Sequence, residues 1–289
     1  MKLASVTVGG VRRAGVVDSA EETVALLSTT VDDVVRGGPA GEPGEVLPLA
    51  EVRLESPLRR FNRDVLCTGW NYLDHFEELK GRRGGQEPAS LPERPTFFTK
   101  GPDTVIGPFD DISYDPSLSQ KWDYEAEIAL VIGRDGRSIP EEKALDHVFG
   151  FLVANDVSQR DLQRAHGGQW LKGKSIDGTM PLGPWITTAD SVDPADLRVR
   201  CEVNGVLLQD ASSAQMAFSF ARIIAELSSG MTLRAGDVVL TGTPSGVGNA
   251  REPQVFLRDG DLVVTRVSGL GELRNTVTLT DLAGEGRGR

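Results

Sequence analysis

The chain has 289 residues, 39% hydrophobic and 25% charged, with a formal net charge of -11. That is enough to build a packed core in one large domain, or in a small and a larger one, and the acidic balance excludes nucleic acid as the main partner because phosphate binding needs a basic face. No apolar run reaches the length of a membrane span, the start MKLASVTVGG lacks a signal peptide's apolar stretch, and Cys67 and Cys201 stand far apart in separate apolar runs, so a cytoplasmic protein with no disulfide and no membrane contact is expected.

Residues 1–62 read as a small β-rich N-terminal domain. KLASVTV, VRRAGVVD and TVALL are predicted strands, with Gly9-Gly10 at a hairpin. VDDVVRGG is a short helix ended by glycine, and GGPAGEPGEVLPL is a linker by composition. Residues 63–289 form the main domain. VLCTGW is a strand, NYLDHFEELK a short helix, and TFFTK and TVIGP are short strands. Between them GRRGGQEPASLPERP is a polar loop of a length that is often functional. WDYEAEIALVIG is expected to be one strand, HVFGFLVANDVS a second that includes His147, and SQRDLQRAH a short helix.

Residues 213–229 carry the clearest helical period. Ser212 or Ser213 is the expected cap, Met216, Phe220, Ile223, Ile224 and Leu227 the apolar face, and Gly230 the end. DVVLTG, QVFLRDGDLVVTRV and ELRNTVTL close the chain as strands, with GDL at a tight turn and GEGRGR as a frayed tail. The sum is an α+β protein dominated by a long-range mixed sheet, not a regular βαβ array.

The chemistry gathers on acidic residues. In a strand, Glu125 and Glu127 share a face, with Asp123 as a candidate third carboxylate. A solvated edge-strand face is the bland alternative, although side-by-side acids repel there. Asp156 ends the apolar run FGFLVANDVS. Burying such acids together raises their proton affinity unless a cation neutralises them. Oxygen ligands without His or Cys favour Mg²⁺, Mn²⁺ or Ca²⁺, and three protein ligands leave positions open for water and substrate.

Of the 3 histidines, His75 is three residues from Glu78. On a helix the two share a face, so Glu78 could orient the imidazole as a base; a surface pair of little consequence is the other reading. His147 reads as a packed or partly exposed histidine in its strand, and His166 as a loop residue before Gly167-Gly168. Lys172 and Lys174 lie in the glycine-punctuated WLKGKSIDGTMPLGPW, where a lysine beside a metal site can meet a substrate oxygen. LTGTPSGVG lacks the Gly-Lys-Ser/Thr ending of a phosphate loop, but Thr243 and its neighbours can offer a hydroxyl and N–H groups to a carboxylate.

Taken in order, GWNYLDHFEE, FFTKGPDTVIGP, DYEAEIALVIG, NDVSQRD, GKSIDGTMPLGPW and GDVVLTGTPSGVG resemble the fumarylacetoacetate hydrolase superfamily over roughly residues 65–280. The resemblance implies a mixed β-sandwich roll, a homodimer, and Mg²⁺ or Mn²⁺ held by Glu125, Glu127 and Asp156. It implies Lys174 as the site lysine, His75 and Glu78 as the water-activating pair, and Thr243 with Gly242 at the substrate carboxylate. Lys100, Asn71 and Tyr72 fall in motifs that border the pocket. Trp70 departs from the pattern, standing where many relatives have arginine or leucine. Residues 80–95 are longer than the lid of the shortest members. The activity implied is metal-dependent hydrolysis of a carbon–carbon bond in an acylpyruvate, a 2-oxo acid of the kind met in aromatic catabolism, with release of pyruvate. Oxaloacetate decarboxylation and hydroxyhepta-dienedioate isomerisation use the same metal–enolate chemistry. A non-catalytic Ca²⁺ clamp is the reading from another class.

Overall fold

Alternation of apolar residues builds most of the molecule from strands, and a computed structural model describes residues 1–81 and 88–284. The loop read as a lid lies partly outside the described residues (82–87), as does the tail from 285 on. The N-terminal strands are β1 (Lys2–Val8), β2 (Val11–Asp18), β3 (Thr23–Leu26), β4 (Val46–Pro48) and β5 (Arg53–Glu55), with helix α1 (Val31–Val35). The expected linker is therefore not wholly irregular: its VLP segment pairs with β3. Gly9 and Gly10 both have positive φ at the β1–β2 turn, as a two-residue hairpin requires.

Then follow β6 (Val65–Gly69), α2 (Leu73–Glu78), β7 (Thr96–Lys100), β8 (Val105–Ile106), β9 (Ile112–Tyr114), β10 (Trp122–Asp123) and β11 (Ala126–Ile132). Next come β12 (Gly136–Arg137), β13 (Val148–Asn155), β14 (Ser158–Gln159), α3 (Arg160–Ala165), β15 (Met180–Thr188), β16 (Arg198–Val203) and β17 (Val206–Ser212). The chain closes with α4 (Phe220–Ser228), β18 (Thr232–Leu233), β19 (Val238–Leu240), β20 (Leu262–Val267) and β21 (Gly271–Leu279).

One mixed sheet runs β4-β3-β2-β1-β15-β13-β11-β19-β6-β7, so the N-terminal strands continue the main sheet through β1 and β15. A second sheet, β17-β16-β20-β21-β9, packs on it. β11 lies between β13 and β19 and is buried on both faces, which explains its continuous apolar run. Ile128, Leu130 and Ile132 join the core shared with β16, β20, β21 and α4. Ala129 and Val131 join the core on the other face, with Val65, Cys67, Leu152 and the α1 valines.

Three expectations change here. The strand expected over WDYEAEIALVIG is broken at Tyr124 and Glu125, because Trp122 and Asp123 pair with β14 while Ala126 onward pairs with β13. The expected helix over 213–229 is shorter. Ser212 caps a single 3₁₀ turn with a capping box closed by Gln215, and α4 starts only after its own cap, Ser219. His147 is partly exposed, as one of its two readings had it, but it ends a 3₁₀ segment just before β13 instead of lying in the strand, and its Nδ1 is 2.9 Å from the Arg134 carbonyl oxygen.

Candidate metal and proton-transfer site

The site forms where β6, β11 and β13 end together. Strand alternation puts Glu127 on the face of Ala129 and Val131, and the pairing of β11 with β13 sets Glu127 opposite Ala154. Just past the strand ends, the Asp156 N–H donates to the Glu125 carbonyl at 2.8 Å, and the Glu125 N–H donates to Asn155 Oδ1 at 3.0 Å. These bonds turn three carboxylates inward. Each of Glu125, Glu127 and Asp156 offers an oxygen, all within 4.8 Å of one another, and all three side chains are buried.

Cations surround them. Lys174 Nζ donates to Glu125 Oε2 and to Asp156 Oδ2, both at 2.6 Å. Lys100, fully buried behind the cavity, lies 3.0 Å from Asp156 Oδ1 and donates to the Val157 carbonyl at 2.8 Å. Arg160 bridges Asp123 Oδ2 at 2.8 Å and Glu125 Oε1 at 2.6 Å. Asp123 is thus drawn away from the trio, and its carboxylate also accepts the N–H groups of Gly248 and Asn249. The count is four carboxylates (Asp123, Glu125, Glu127, Asp156) against three cations (Lys100, Arg160, Lys174), which leaves one negative charge over.

The excess falls on Glu127. Burial first, then Asp156 and Glu125, push its carboxyl well above the usual range. Burial acts the same way on Glu125, but Lys174 and then Arg160 more than reverse it and hold that carboxyl low. Among the described residues Glu127 has one hydrogen bond, from the Gly242 N–H to Oε2 at 2.7 Å, and no ion pair, Lys174 only partly offsetting the push of its neighbours. A buried all-oxygen trio with one uncompensated charge fits a hard divalent ion.

The base candidate faces the same cavity. His75 Nδ1 meets Glu78 Oε1 at 2.8 Å, as the i,i+3 spacing on α2 predicts. Glu78 Oε2 accepts the Gly246 N–H at 2.8 Å. His75 is buried and lines the cavity with Glu125, Glu127 and Lys174. With Nδ1 committed, Nε2 is the ring nitrogen left for chemistry.

The remaining expected residues divide. Thr243 lines the cavity, but its hydroxyl donates to the Ala126 carbonyl at 2.9 Å and accepts from Gln209 Nε2 at 2.8 Å. The Gly242 N–H is spent on Glu127, and Gly242 has φ +94°, where an added Cβ would stand 2.8 Å from Asn71 Cβ. Asn71 and Tyr72 do not line the cavity. Asn71 donates to the carbonyls of Phe218 and Thr241 and accepts the Phe218 N–H, pinning the β6–α2 turn. His147, His166 and Lys172 are also absent from the lining. Sequence reasoning missed Arg160, Thr68 and Trp170. Arg160 sits in NDVSQRD, four residues past Asp156, and its charge beside an acidic cluster was the available signal.

The family described as Fumarylacetoacetate (FAA) hydrolase C-terminal matches residues 64–278, and Rv2993c-like, N-terminal matches residues 1–57. Oxaloacetate tautomerase YisK of Bacillus subtilis (strain 168) is 43% identical over 230 residues, 79% of this chain and 74% of that one. Mitochondrial oxaloacetate tautomerase FAHD2A of Homo sapiens is 43% identical over 234 residues, 80% of this chain and 71% of that one. The solved fumarylacetoacetate hydrolase of Exiguobacterium antarcticum superposes with TM-score 0.85 at 39% identity, covering 97% of this chain and 100% of that one. The 2-hydroxyhepta-2,4-diene-1,7-dioate isomerase of Mycobacterium marinum gives 0.79 at 31%, covering 97% and 99%.

Proposed function

Because the chain belongs to the fumarylacetoacetate hydrolase family, we propose that this enzyme moves a proton next to the 2-oxo group of a small 2-oxo dicarboxylate, with keto–enol tautomerisation of oxaloacetate as its reaction. The observation that carries the reading is the His75–Glu78 pair facing the carboxylate–lysine cluster within one buried cavity. The two tautomerases at 43% identity support the substrate.

His75 Nε2 takes a proton from C3 of the keto acid. The C3–H electron pair becomes the C2–C3 double bond, and the 2-oxo oxygen takes up the negative charge and then the proton held on the His75 imidazolium, giving the enol with no change in composition and the base restored. Glu78 accepts the Nδ1–H and steadies the imidazolium. Lys174 has three donors, two committed to Glu125 and Asp156, and the third stabilises the oxyanion. Arg160 holds Glu125 in place. Glu125, Glu127 and Asp156 would hold Mg²⁺ or Mn²⁺, which when bound supplies Lewis-acid polarisation of the 2-oxo group. The expected homodimer and cytoplasmic setting are carried as part of this proposal.

The test is the ultraviolet absorbance of the enol after oxaloacetic acid is diluted from dry solvent into Mg²⁺-loaded protein. Chelator-sensitive acceleration of its decay is expected; a decay rate equal to that of buffer with Mg²⁺ would sink the reading. The second reading is the acylpyruvate hydrolysis expected from the sequence. It draws support from the same Nε2, which could deprotonate a water, and from the likeness to the Exiguobacterium hydrolase. Release of pyruvate from short acylpyruvates tests it. Release from oxaloacetate would instead point to decarboxylation.

A further inference from the structure

We propose that Trp70 and Trp170 form a rigid aromatic wall that restricts the site to compact 2-oxo dicarboxylates, an inference that rests on the reading of the cavity as a 2-oxo acid site. Both line the cavity, with Phe98 beside them. Trp170 meets Trp70 edge to face with ring centroids 5.1 Å apart, and meets Phe98 at the same centroid distance. Trp70 continues the chain of rings to Phe76, at 6.1 Å, on the helix that carries His75. Such pairs hold orientation as well as burying area.

Three features keep the wall from yielding. Trp70 has φ +54°, a conformation that a bulky side chain adopts only where its surroundings over-determine it. Those surroundings are the two ring contacts and the adjacent Asn71, pinned by three hydrogen bonds. Trp170 is seated directly on the end of β6: a Cβ at Gly69 would stand 2.7 Å from Trp170 Cζ3, so only glycine leaves room. Trp170 also opens the 3₁₀ turn that ends at Lys174, and its carbonyl accepts the Gly173 N–H at 2.9 Å. Displacing this ring would therefore disturb the lysine that bridges Glu125 and Asp156.

The consequence is a limit on substrate length. The cavity volume is about 60 Å³, room for only a few water molecules. The groups suited to a carboxylate or an enolate (Lys174, Arg160 and His75) line it beside Glu125 and Glu127. A short dicarboxylate keeps both its charged ends among them. Each added methylene drives the distal carboxylate toward the indole rings, where ring faces replace part of its water.

The test is a binding series with Mg²⁺-loaded protein and three homologues: freshly dissolved oxaloacetate, 2-oxoglutarate and 2-oxoadipate. Titration calorimetry gives affinities, and quenching of tryptophan fluorescence gives a second readout without turnover. The wild-type protein should prefer oxaloacetate over 2-oxoadipate by at least ~10-fold, since one misfitting methylene typically costs 10-fold or more. Trp170→Ala should bring that ratio to within about 3-fold of unity, and Trp170→Phe to an intermediate value, with folding of each verified by thermal unfolding. A wild-type protein that binds all three alike, or either folded variant keeping the wild-type ratio, would overturn the proposal. A preserved ratio pattern without any enol–keto turnover would support the wall while removing the tautomerase reading, so the two failures are distinguishable.

Discussion

The His75 Nδ1 and Glu78 Oε1 atoms lie 2.8 Å apart, and the second oxygen of Glu78 is fixed by the Gly246 N–H. The pair is therefore oriented by the loop after β19 as well as by its own helix. His75→Ala should lower turnover by about 10²–10⁴-fold, the usual range for a positioned base, and leave divalent-ion affinity unchanged. Glu78→Gln should cost less, because an amide still accepts the Nδ1–H but offers no charge to the imidazolium. Initial rates alongside calorimetric ion titration decide this, and unchanged turnover in His75→Ala would remove His75 from the mechanism.

Lys174 is buried and bridges two carboxylates at 2.6 Å each. Lys174→Met leaves Glu125 and Asp156 without that charge. Removing one partner of a buried pair typically costs about 3–5 kcal/mol, so urea unfolding in the presence of chelator should show a loss of that order. Added Mg²⁺ should recover part of it.

Glu127 behaves differently because it makes no ion pair among the described residues and is pressed by burial and then by Asp156 and Glu125, which Lys174 only partly offsets. In chelator, Glu127→Gln should leave stability unchanged or raise it, since a like charge is removed. In the wild-type protein Mg²⁺ at a hundredfold excess over its dissociation constant should add about 2.7 kcal/mol. Glu127→Gln should lose most of that increment. Equal Mg²⁺ stabilisation of both proteins would place the ion elsewhere.

Asn71 makes three hydrogen bonds that join the β6–α2 turn to the segment before α4 and to Thr241. Asn71→Ala strands the Phe218 N–H and two carbonyls, so a loss of about 2–3 kcal/mol is expected. Turnover should fall with it, because the same turn aims His75 at the cavity. Denaturant midpoints and initial rates measured together test both.

Cys67 and Cys201 are free and buried. Burial pushes the Cys201 thiol up to about 12 and likewise raises the Cys67 thiol well above its usual range. A thiolate reagent should label neither in the native protein and both after unfolding. Rapid native labelling would contradict the packing of β6 and β16.

Much of the site could be read from the chain because its chemistry is local in sequence. The i,i+3 spacing of His75 and Glu78 needs only a helix to become a pair, and the alternation of Glu125 and Glu127 pointed to one side, although Glu125 lies just before β11 and is turned there by its bonds to Asn155 and Asp156. The β1–β2 hairpin and β13 were legible for the same reason. The central strand β15 was not. It contains Pro181 and Pro184, which normally argue against an inner strand, and it is held instead by irregular pairing with β13 and by short contacts with β1 and β8.

The sequence by itself determined the family, the sheet-dominated α+β class and the identity of the acids, lysine and histidine that the fold gathers at one cavity, because motif, residue type and short-range period encode these. Tertiary structure alone decided how their charges and hydrogen bonds are shared. It broke the strand at Tyr124 and Glu125, sent Asp123 to Arg160, spent the Thr243 hydroxyl on Ala126 and the Gly242 N–H on Glu127, and set Trp170 over Gly69. Each of those outcomes joins groups distant along the chain, and which partner a buried polar group finds depends on what the fold brings within hydrogen-bond reach.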